Sequence, residues 1–77
     1  MRINEIWKCV RQTPEQTLRS LMEEEGADSG DFTRVTLDNF DGLFDNEDRL
    51  PKTPTMREKV RKMVADGVPM YWFTIHC

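Results

Sequence analysis

"INEIWKCVR", residues 3–11, decides the fold. Read with a period of two, Ile3, Trp7 and Cys9 fall on one side and Ile6 and Val10 on the other. The β-branched and aromatic content favours a strand. Read at helical spacing, Ile3, Ile6, Trp7 and Val10 make a stripe. A strand here gives a small α+β domain; a helix gives a mainly α bundle with a β-ribbon.

The next stretch has one reading. In "TPEQTLRSLMEEEG" (13–26) Thr13 can cap a helix, Pro14 takes the first helical position, and Gln16 stands three residues after the cap. Leu18, Leu21 and Met22 form a narrow apolar stripe. Gly26 can close the helix in the left-handed conformation. The spacing predicts a helix over 14–25.

"GADSGD" (26–31) reads as a turn and "FTRVTLDN" (32–39) as a strand. The period then changes. Leu37, Phe40, Leu43 and Phe44 are three and four apart, which suits a short helical turn capped by Asp38. "NEDRLPK" (46–52) reads as a loop. "TPTMREKVRKMVADG" (53–67) repeats the Thr-Pro opening and the Gly ending, with Met56, Val60, Met63 and Val64 as the buried stripe. "PMYWFTIHC" (69–77) is rich in strand formers. The expected order is strand, helix, strand, short helix, helix, strand. That describes one α+β domain over residues 1–77, with a three-stranded sheet and two main helices on one face.

Size and composition narrow the function classes. Seventy-seven residues suit one domain. A chain this short has little room for a deep catalytic cleft beside a full core, so a binding role is expected and an enzymatic one is not. The longest apolar run, "VPMYWF", is far too short to span a bilayer. No apolar run near residue 1 resembles a signal-peptide core, so the expected location is the cytoplasm. Two cysteines, Cys9 and Cys77, are too few for a disulfide scaffold, and in a reducing cytosol they are read as free thiols.

Charge is the strongest signal. The net charge is −3, but it is polarised along the chain. Residues 23–48 carry ten acids against one base, Arg34, a net of −9. The acids are Glu23, Glu24, Glu25, Asp28, Asp31, Asp38, Asp41, Asp45, Glu47 and Asp48. The remainder carries ten bases against four acids, a net of +6. Such asymmetry implies either an electrostatically chosen partner or pairing of the two halves.

The three glutamates at 23–25 sit where a helix is already negative, so each costs about 0.3 kcal/mol or more if exposed and unpaired. A structural explanation is pairing with Arg57, Arg61 or another basic group of the chain. A functional one is an acidic surface for a larger protein with a basic patch, such as a nucleic-acid-binding complex whose phosphate ligand the carboxylates imitate. Size and charge suit an inhibitor of nucleic-acid machinery of the kind carried by phages and mobile elements, anti-CRISPR and anti-restriction proteins included. The alternative from another class is direct nucleic-acid binding through Arg57, Lys59, Arg61 and Lys62 on the basic helix.

Residue type offers two further chemistries. Around Gly42 an EF-hand register would use Asn39, Asp41, Asp45 and Asp48, but its first ligand position falls on Leu37, which cannot bind calcium. Cys9, His76 and Cys77 would converge if the first and last strands paired. They lack the short spacing of a zinc site and any nucleophile signature. No metal or cofactor is expected. The seven aromatics, Trp7, Phe32, Phe40, Phe44, Tyr71, Trp72 and Phe73, are read mainly as core, with no base near the last strand to complete a stacking platform.

Overall fold

A computed structural model of the chain describes residues 2–44 and 54–77. The order of elements is β1 (Arg2–Lys8), α1 (Pro14–Glu25), β2 (Ser29–Arg34), α2 (Phe40–Phe44), α3 (Pro54–Ala65) and β3 (Met70–His76). This is an α+β fold built on a three-stranded antiparallel sheet. The ambiguous opening stretch is a strand, and the mainly α alternative is set aside.

The strand order is β1-β3-β2, so the last element is the central one. β1 pairs with it from Arg2↔His76 to Lys8↔Met70, and β2 from Ser29↔His76 to Arg34↔Tyr71. β3 alternates between two cores. Tyr71, Phe73 and Ile75 point to one face, where Leu18, Leu21 and Met22 of α1 cover them. Met70 and Trp72 point to the other, where Val60, Met63 and Val64 of α3 and Phe40 and Leu43 of α2 cover them. The two main helices therefore lie on opposite faces, not on one face as expected. The physical reason lies in β3 itself. Both parities of "MYWFTI" are apolar, and a strand apolar on both sides needs a cover on each. Phe73 and Ile75 are fully buried, and each such side chain contributes on the order of 1.5–3 kcal/mol by leaving water.

α1 forms as its ends dictate. The Thr13 hydroxyl accepts from the Gln16 N–H at 3.2 Å, and the Gln16 side chain accepts from the Thr13 N–H at 3.0 Å. This reciprocal box satisfies two donors that a helix start leaves open. Gly26 closes the helix at φ +65°, and the Ala27 N–H returns to the Met22 carbonyl at 2.9 Å.

β2 starts three residues before its expected position, inside the stretch that reads as a turn. Gly30 allows this. A Cβ there would lie 3.0 Å from Leu18 Cδ1 and 3.1 Å from the Thr74 carbonyl oxygen, so α1 and β3 close over a residue without a side chain. The strand ends at a second reciprocal pair. The Thr36 N–H donates to Asn39 Oδ1 at 2.8 Å and the Asn39 N–H to Thr36 Oγ1 at 3.3 Å. This pair closes the turn that leads into α2, and Asn39, not Asp38, stands at the head of the helix, its carbonyl accepting from the Leu43 N–H at 3.1 Å. Leu37 and Met56, both assigned to apolar stripes from sequence, are 53% and 47% exposed.

Candidate functional site

The carboxylates of 23–48 meet three different fates. Glu23, Glu24 and Glu25 occupy the last turn of α1 and are exposed. Among the described residues no cation pairs with them. The tight exit at Gly26 then places Asp28 directly at the head of β2, where its N–H bonds the His76 carbonyl at 2.9 Å. Asp31 follows on β2, also exposed and without a side-chain partner among the described residues. Glu23, Glu24, Glu25 and Asp28 share the end of the sheet where α1 stops and β2 begins, whereas Asp31, third in β2, lies on the face away from α1.

Asp38 and Asp41 lie past the other end of β2, a strand of six residues or about 20 Å at 3.4 Å per residue. Asp38 is exposed. Asp41 is occupied. Its Oδ1 lies 3.1 Å from Arg57 Nη2 and 3.6 Å from Arg61 Nη1. Both guanidinium groups also stand over the ring of buried Phe40, at 5.8 and 5.9 Å from its centroid. The structural explanation that paired the α1 glutamates with Arg57 or Arg61 does not hold, because α1 and α3 lie on opposite faces and Asp41 takes both arginines. Asp45, Glu47 and Asp48 lie outside the described residues.

The basic helix is divided in the same way. Arg57 and Arg61 face α2 and Asp41. Lys59 and Lys62 lie on the exposed side, where Glu58 interrupts the positive charge.

The cysteine–histidine trio is not assembled. β1 and β3 do pair, yet antiparallel. Cys9 therefore sits beside Pro69, to whose carbonyl its N–H donates at 2.9 Å, while His76 lies opposite Arg2. The seven residues of β3 separate them, about 20 Å along a strand. The Cys9 sulfur instead approaches Thr17 Oγ1 at 3.6 Å and packs against the α1-side core. Among the described residues no group of three or more His, Cys, Asp or Glu side chains could hold a metal ion. In the calcium register, Asp41 is paired with arginine and Asn39 donates from its amide to the Arg34 carbonyl at 2.9 Å.

One residue pairing was missed in the sequence. No base stands near "PMYWFTIHC" along the chain, but β2 brings Arg34 over the Tyr71 ring at 5.7 Å. Cross-strand partners can be found only once the register is known. Most aromatics are core, as expected. Among the aromatics whose burial is described, Trp7, 48% exposed, is the exception.

Among the described residues no helix is long and apolar enough to cross a membrane. No protein-family model, no curated protein and no solved structure matches the chain.

Proposed function

We propose that this protein is an acidic interaction module that binds a basic patch on a larger protein. One observation supports this most directly. Glu23, Glu24 and Glu25 stand exposed at the negative pole of α1 and form no ion pair among the described residues, although Arg19 lies one turn before Glu23, and Asp28 continues the charge at the head of β2. A fold gains nothing in stability from that placement, whereas association with a cationic surface gains speed and selectivity from it. The partner class that fits best is a nucleic-acid-handling protein in the cytoplasm, inhibited by a protein that imitates phosphate. The role is binding, without catalysis.

The test is affinity capture of the tagged protein from its native cells, with and without nuclease, eluted in salt steps. A stoichiometric protein that resists nuclease and leaves at moderate salt supports the reading. Loss of that partner with Glu23→Lys, Glu24→Lys and Glu25→Lys combined places the contact on α1. Unchanged capture by the folded triple variant refutes it.

Direct nucleic-acid binding through α3 is the competing reading. Exposed Lys59 and Lys62 favour it, and the contact of Arg57 and Arg61 with Asp41 counts against it. It requires salt-sensitive retention on DNA or RNA that Arg57→Glu with Arg61→Glu abolishes.

A further inference from the structure

We infer that the outer edge of β2 is an acceptor for an added β-strand, and that its occupant is an extended partner segment alternating apolar with basic residues. The inference rests on the acidic-surface reading and specifies how that surface engages.

Among the described residues β2 is an edge strand, with β3 on one side and no strand on the other. The Val35 N–H donates to the Met70 carbonyl at 2.9 Å, and the register continues down to Ser29↔His76. Hydrogen-bonded pairs recur at every second residue of an antiparallel ladder. Thr33, Asp31 and Ser29 thus turn their main chain toward β3, and Gly30, Phe32 and Arg34 turn theirs outward. Asn39 covers the Arg34 carbonyl. The other outward groups, three N–H and two carbonyls, have no hydrogen-bond partner among the described residues. Exposed edges of this kind accept a strand through main-chain bonds, with specificity set by alternate side chains.

The side chains of an added strand would meet two surfaces. Residues opposite Gly30 and Phe32 would project to the α1 face. There the half-buried flank of α1 forms a groove with Leu18, Met22 and Ala27 as its apolar lining and Glu23 and Arg19 on its rim. Gly30 brings Leu18 down onto this edge. The intervening residues would project to the opposite face, beside Asp31. Asp28 stands at the start of the edge. The charged side chains around it are mainly carboxylates, and Arg34 is drawn onto Tyr71. Apolar side chains toward α1 and lysine or arginine toward Asp31 satisfy both surfaces.

The probe is the capped peptide Lys-Val-Lys-Val-Lys-Val-Lys, beside the same peptide with its valines N-methylated. Methylation keeps charge and side chains but removes the N–H groups that would face β2. Titrated into the isotope-labelled protein, the parent peptide is expected to shift the amide resonances of Gly30, Phe32 and Arg34. The methylated one should bind at least about tenfold more weakly, as expected for losing two or more hydrogen bonds. Equal binding of the two peptides overturns the inference, as does binding of neither. Shifts confined to Glu23–Glu25, or to the β1 edge at Ile6 and Lys8, also overturn it. So does a protein that self-associates through β2 with no peptide present, because the occupant is then a second copy. The acidic-surface reading fails separately, if the folded 23–25 lysine variant captures the native partner as well as the unaltered protein does.

Discussion

Asp41 and the Glu23–Glu25 run are the same chemistry in opposite settings. Asp41 rests between two guanidinium groups that stack on a buried ring. The glutamates project from a helix end whose dipole repels them, and they form no ion pair among the described residues. An acid-rich sequence does not say which carboxylates hold the fold and which are left over. Only the placement of helices on the two faces of the sheet separates them. The left-over group is where a partner has most to gain.

The comparison can be broken first at Phe40. It is 1% exposed and is the platform under Arg57 and Arg61. Phe40→Ala should cost about 3–5 kcal/mol in urea unfolding. Where the variant remains folded, partner capture should persist, because α1 lies on the other face. Capture lost together with the Asp41 contact would mean that the two acidic regions are one surface.

Next comes the triple lysine variant at 23–25. It should abolish capture and yet raise thermal stability, because cations at a helix C-terminus are favourable by about 0.3–1 kcal/mol each at low salt. Opposite signs for binding and stability are the sharpest mark of carboxylates kept for a partner. A destabilised variant would reveal a structural role for them.

Gly26→Ala isolates the exit from α1. No atom lies within 4 Å of the added methyl group, so only the +65° backbone angle resists it. The expected cost is about 1 kcal/mol in denaturant unfolding. The smallest effect is expected at Asp41→Asn. The Asp41 side chain is 62% exposed, so the loss should be at most about 1 kcal/mol and should fade as salt is added.

Much of the fold could be read locally. The box at Thr13 and Gln16 and the left-handed Gly26 form as their spacing predicts, because capping depends on neighbours within four residues. The order of elements was legible for the same reason. The face assignment was not taken from the sequence, although "MYWFTI" contained the signal. Two apolar parities in one strand demand two covers. Asp41 was not separable from the other acids, since its partners are 16 and more residues away in α3. The trio of Cys9, His76 and Cys77 failed on direction: pairing the first and last strands antiparallel sends their C-terminal ends apart.

The central position of β3 also sets an order of events during synthesis. β1, α1 and β2 leave the ribosome before the strand that joins them, and β1 and β2 are not neighbours in the sheet. Both must wait for residues 70–76. α1 can form early from its own capping groups, but Leu18, Leu21 and Met22 have nothing to cover until Phe73 and Ile75 arrive. Nascent chains that stall before Met70 are thus left with two unpaired strands, and a protease added at that stage should cut them freely. Completion of the last strand closes both cores in one step.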